Sequence, residues 1–211
     1  MNREYHRWYS GRLERDMELL VFGHAGAKVL VFPTREGRFF EYENLGLVHR
    51  LKDKIDAGHL QLYCVDSIYF DSLYGGHHHP ADRMRRHQQF EEYILNEVLP
   101  FMGMKNDHPC TISHGCSLGA YQAANIAFRH PHLFQKLCAF SGRYDLTAGV
   151  ECFSDLFDGY YDETIYHNSP SHFLPRLECP ERLGHLRRMD IVLVIGREDP
   201  FYENNLQLSD C

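Results

Sequence analysis

Short apolar, β-branched runs alternate with longer amphipathic stretches through most of this chain, and that alternation limits the possible folds more than any other feature. Residues 18–22, 28–32, 60–65, 110–113, 136–140 and 190–195 each have the length and composition of a strand. Between them, residues 42–57, 82–99 and 118–130 read as helices. The second is the clearest, with Phe90, Tyr93, Ile94, Glu97 and Val98 at three-to-four spacing and Pro100 as the expected stop. Strands separated by helices need crossover connections, which predicts an α/β fold with a mostly parallel sheet and helices on both faces. In such sheets ligand chemistry gathers at the carboxyl ends of the strands.

A chain of 211 residues without a Pro/Gly/Ser linker or an internal repeat is expected to form one domain over 1–211. The formal net charge of −7 disfavours a nucleic-acid or anionic-membrane partner, because holding phosphates takes a concentrated positive patch. The apolar runs fall far short of the roughly 20 residues that cross a bilayer, and Arg3, Glu4, His6 and Arg7 stand where a secretory leader would be apolar. The seven cysteines lack CxxC spacing and read as reduced thiols, which predicts a cytoplasmic chain.

The strand ending at Ser113-His114 runs directly into Gly115-Cys116-Ser117-Leu118-Gly119, a GxSxG pentapeptide, and then into a small-residue helix from Ala120. The string alone would arise by chance in roughly one such chain in twenty, so its setting carries the weight. A tight strand-to-helix turn pushes a serine hydroxyl out above the sheet, and the two glycines let the backbone approach itself closely. Ser117 is therefore the candidate nucleophile. The Leu118 amide, at a helix N-terminus, is a candidate oxyanion donor.

These features resemble the putative-esterase family of α/β-hydrolases, which includes esterase D, enterochelin esterases, feruloyl esterases and mycolyltransferases. The resemblance rests on Val29-Leu30-Val31-Phe32-Pro33-Thr34, His79-Pro80-Ala81-Asp82-Arg83 running into Tyr93-Ile94-Leu95, the pentapeptide, Phe140-Ser141-Gly142 and Val194-Ile195-Gly196-Arg197-Glu198-Asp199-Pro200. It implies a small-molecule ester substrate, an acyl-enzyme, no metal or organic cofactor, and a serine, a carboxylate and a histidine in that chain order.

Asp199 follows the 190–195 strand and a glycine, so it matches the position and order of a triad acid; its alternative role is that of a turn carboxylate before a helix. Asp145, just past another strand, is the rival acid, and Asp66 precedes the serine and reads as structural. The second oxyanion donor is expected from the loop after 28–32, at Thr34 or Arg35, with Thr34 taken first. Phe39, Phe40 and Tyr42 are candidates to line a pocket, although aromatics at this spacing more often fill core.

All fifteen histidines lie at or before His185, so none follows Asp199 and the expected order is not completed. The reading is a chain cut short, lacking a further strand and a histidine loop, with the 190–195 strand left as an exposed edge. His114, His24 and His77-His78-His79 are weak substitutes, and adjacent histidines diverge too much to hold a metal. The expected activity is serine carboxylic-ester hydrolysis, crippled on the scale of about a millionfold in kcat that loss of a triad member brings. Acyl transfer by the same acyl-enzyme and a non-catalytic binding protein are the alternatives, and the sequence leaves the ester and the oligomeric state open.

Overall fold

A computed structural model describes residues 1–211. Seven strands, β1 (Arg3–Ser10), β2 (Arg15–Phe22), β3 (Ala27–Phe32), β4 (Leu60–Val65), β5 (Thr111–Cys116), β6 (Lys136–Phe140) and β7 (Asp190–Val194), form one sheet in the order β1-β2-β4-β3-β5-β6-β7. From β4 through β7 all neighbours are parallel, while β1, β2 and β4 pair antiparallel.

The two faces can be read from β2. Leu19 and Val21 pack into the larger core with residues of the helices α4 (Pro80–Tyr93) and α6 (Leu118–Arg129), whereas Leu20 and Phe22 pack on the other face with Val48 and Ile55. Val48 and Ile55 come from the short helices α2 (Leu47–Arg50) and α3 (Lys52–Asp56), which follow the single turn α1 (Glu41–Asn44), so helices cover both faces. This is the predicted α/β architecture.

Three local differences from the sequence reading have physical causes. The predicted 42–57 helix is broken into three single turns; the first break falls where Gly46 takes a left-handed φ of 74°, and the second at Leu51. Pro100 does not stop the second helix. A π-helical segment at Ile94–Val98 joins α4 to α5 (Leu99–Lys105), and the widened turn leaves room for the proline ring that a regular α-helix would set against the carbonyl four residues back. The third difference is β1 itself. Its Trp8 Nε1 and Ser10 hydroxyl donate to Glu97 at 2.8 and 2.7 Å, which fastens the strand to the π-helical segment and gives Glu97 a purpose on an otherwise apolar stripe.

The β7 edge carries Ile191, Val192 and Val194 with nearly half of each side chain exposed. No helix is long and apolar enough to cross a membrane, and all seven cysteines are free.

Candidate active site

At the carboxyl end of β5 the backbone turns through Ser117 into α6. Ser117 adopts φ 56°, ψ −119°, a region that costs a non-glycine residue about 1–3 kcal/mol and persists only where its surroundings enforce it. Two contacts enforce it here. A Cβ on Gly115 would lie 2.3 Å from the Gly119 carbonyl, and one on Gly119 would lie 2.3 Å from the Phe32 oxygen of β3. Only glycines let strand and helix cross so closely.

The Ser117 amide donates to the Phe140 carbonyl of β6 at 2.9 Å, and the Ser117 carbonyl accepts from Ala120 and Tyr121 in the first turn of α6. The next amide, that of Leu118, opens the helix and has no hydrogen-bond partner. It is a donor held in place at the positive end of the helix.

Beside this turn, the chain leaving β3 supplies Thr34 and Arg35. The Thr34 amide, expected to face an oxyanion, donates instead to Glu41 Oε2 at 2.8 Å, and its hydroxyl donates to Glu41 Oε1 at 2.5 Å. One N–H already given to a carboxylate is not free for a second anion. The following amide, that of Arg35, makes no hydrogen bond.

Beyond β7, Asp199 sits at the entrance to the helix Tyr202–Ser209, where its Oδ1 accepts from the Phe201 amide at 3.0 Å and its Oδ2 has no protein partner. Ser117, Leu118, Thr34, Arg35 and Asp199 all line one cavity of about 470 Å³, together with Tyr74, Tyr121, Ser141 and Arg143. The five residues singled out from the sequence thus meet at one end of the sheet.

None of the fifteen histidines lines that cavity. His114 is buried between the Cys138 carbonyl at 2.7 Å and the Tyr42 hydroxyl at 3.0 Å, and burial pulls its pKa down. Tyr42 is thereby a partner of the core rather than a pocket wall. His79 caps α4 by accepting from the Ala81 amide at 3.2 Å, and His77 and His78 stack on each other. No three His, Cys, Asp or Glu side chains gather where a metal ion could be held.

The rival acid Asp145 lies outside the cavity lining. Burial works to raise its pKa, but hydrogen bonds from His172 and Thr147 outweigh this and hold it at about 2. His172 meets Asp145 through Nε2 and the Tyr161 hydroxyl through Nδ1, both at 3.0 Å, so neither nitrogen is free to serve Ser117. Asp66 is buried against Arg38 at 2.6 Å.

Arg143 escaped the sequence reading. It is 8% exposed, and its Nη2 lies 2.7–3.0 Å from the Leu146, Ala148 and Ser154 carbonyls while Nε reaches the Asp145 carbonyl at 3.2 Å. Burial lowers its pKa, opposed by Tyr74, Asp145 and Asp155. An arginine three residues past the end of β6 was the available signal, but nothing in the sequence says that its side chain turns inward.

The mostly parallel sheet, the forced serine turn and the helices on both faces define an α/β-hydrolase fold, with a cavity at the carboxyl ends of its strands. The chain belongs to the family described as "Putative esterase", whose model matches residues 62–210. Among solved structures it is similar to a ferulic acid esterase (TM-score 0.73, 16% identity, covering 99% of this chain and 84% of that one). It is also similar to S-formylglutathione hydrolases from Staphylococcus aureus (TM-score 0.70, 12% identity, 99% and 85% covered) and Agrobacterium tumefaciens (TM-score 0.67, 15% identity, 99% and 92% covered). Among curated proteins none matches the sequence.

Proposed function

We propose that this protein is a serine carboxylic-ester hydrolase that works through an acyl-enzyme on Ser117. The observation that carries the reading is the strained Ser117 backbone at the end of β5, lining one cavity with an unpaired helix N-terminal amide and with a carboxylate that has one free oxygen. Strain of this kind is retained where it positions a reacting group.

In this reading the Ser117 hydroxyl attacks the ester carbon and passes its proton to an imidazole, which returns it to the leaving alcohol. The carbonyl oxygen, becoming negative, is held by the amides of Leu118 and Arg35; Thr34, whose amide serves Glu41, holds the loop. Asp199 orients the imidazole through the oxygen not used by Phe201. None of the fifteen histidines lines the cavity, so in this reading the imidazole is one that the cavity lining does not itself supply. The same acyl-enzyme gives acyl transfer when an alcohol replaces water.

Free imidazole supplies the test. It is small enough to enter a cavity of about 470 Å³ and to take the place of the missing ring beside Asp199. Labelling by a fluorophosphonate probe, read by intact mass, is expected to accelerate with imidazole concentration at pH 8 and to vanish in Ser117→Ala. The same absence of a cavity histidine favours a second reading, a hydrolase shell retained for binding. No labelling of Ser117 at any imidazole concentration would overturn the esterase reading and leave that one.

A further inference from the structure

The charge inside the cavity differs in sign from that of the molecule. The chain as a whole carries −7, yet the charged side chains lining the site are Arg35, Arg143 and Asp199. With Asp199 assigned to the imidazole, two guanidinium groups remain for which the ester chemistry has no use.

Their hydrogen bonding shows which atoms are available. In Arg143, Nε and Nη2 are occupied by four backbone carbonyls and the guanidinium lies over the Phe201 ring at 5.5 Å. Nη1 has no protein acceptor and is not fully enclosed, and Arg143 lines the cavity, so its two N–H groups are the ones left for a ligand there. The four carbonyls hold the guanidinium in place. Arg35 lies over the Tyr74 ring at 5.1 Å, and its one acidic neighbour, Glu36, is 3.8 Å away with both side chains well exposed. An exposed pair at that separation holds its members weakly.

We infer that this site selects an ester that also carries a free carboxylate, held between Arg143 Nη1 and the Arg35 guanidinium while its ester carbon faces Ser117. Guanidinium donors suit a planar carboxylate, and a fixed, partly buried one has already lost the rotamer freedom that an exposed arginine gives up on binding. The inference deepens the esterase reading and rests on it for the position of the ester.

Binding in Ser117→Ala tests it without any chemical step. Monomethyl glutarate places the carboxylate on the acyl side and acetoxyacetate places it on the alcohol side; dimethyl glutarate and methyl acetoxyacetate are their neutral counterparts. Titrations followed by amide NMR are expected to show at least one anionic ester bound about tenfold more tightly than its neutral partner, which is 1.4 kcal/mol. The largest shifts are expected at the Leu118 and Arg35 amides, and the preference should fall severalfold in 0.5 M NaCl. Arg35→Gln, at an exposed position, should reduce the preference to about threefold, and Arg143→Lys should reduce it further.

If Arg143→Lys does not fold, the parent and Arg35→Gln comparisons still decide. Equal affinity for the anionic and neutral members of both pairs would overturn the inference, as would an anionic preference that Arg35→Gln leaves unchanged. Because Ser117 is absent from this assay, either result is separate from the labelling outcome.

Discussion

Gly119→Ala is the most direct probe of the packing that holds Ser117 in its strained conformation. The added Cβ would lie 2.3 Å from the Phe32 oxygen, 2.6 Å from the Pro33 oxygen and 2.9 Å from the Phe32 carbonyl carbon. All three are backbone atoms of the chain leaving β3, which is hydrogen-bonded to β4 on one side and β5 on the other and cannot withdraw. Restoring an ordinary contact of about 3.4 Å requires the start of α6 to retreat by roughly 1 Å, an overpacking of the kind that costs about 3 kcal/mol. Alanine recovers up to about 1 kcal/mol through its helix propensity, leaving a net loss of about 2 kcal/mol. For a chain of this size that lowers Tm by about 4–8 °C. Gly103, in α5, has no atom within 4 Å of the place a Cβ would occupy, so Gly103→Ala should gain about 0.5–1 kcal/mol in the same urea and thermal melts. A Gly119→Ala protein that melts within about 1 °C of the parent, or above it, would refute the idea that close backbone contact enforces the turn.

Two further outcomes follow from the same structure. Burial pulls His87 down to about 4 from an unfolded value near 6.5, so the unfolded chain takes the proton first. His87 therefore leaves stability intact above pH 6.5 and subtracts from it as the pH falls from 6.5 towards 4, by about 2 kcal/mol between pH 7 and 5. Urea melts of the parent and of His87→Gln, compared at those two pH values, should differ in pH dependence by that amount, and parallel slopes would count against it. Glu41→Ala releases both the amide and the hydroxyl of Thr34, and the loop carrying the Arg35 amide loses its anchor. Imidazole-supported labelling of Ser117 is expected to slow about tenfold while the far-UV spectrum stays that of the parent; an unchanged rate would show that the loop holds its shape without Glu41.

Local signals in the chain were enough for the layers and for one end of the site. A β-branched run of five or six residues favours a strand, and Gly115 and Gly119 around Ser117 announce a turn that side chains would block. Asp199 was found in the same way, by its place just after a strand. These features depend on neighbours in sequence, where sterics and periodicity act directly.

β1 was legible only in retrospect. Its inward residues His6, Trp8 and Ser10 alternate with the exposed Tyr5, Arg7 and Tyr9, but their burial depends on partners as far off as Glu97 and Phe101. Pro100 failed as a helix stop for a related reason: whether a proline ring clashes depends on the width of the turn before it, which packing sets.

The amino-acid order alone determined that strands and helices alternate, that Ser117 stands on a forced turn and that an acid follows the last strand, because each is a matter of spacing along the chain. The tertiary structure alone decided that Glu41 takes the Thr34 amide, that His172 is spent on Asp145 and Tyr161, and that four backbone carbonyls hold Arg143 at the cavity. A hydrogen-bonding group far along the chain chooses its partner by proximity in space, and that proximity exists only once the sheet has formed.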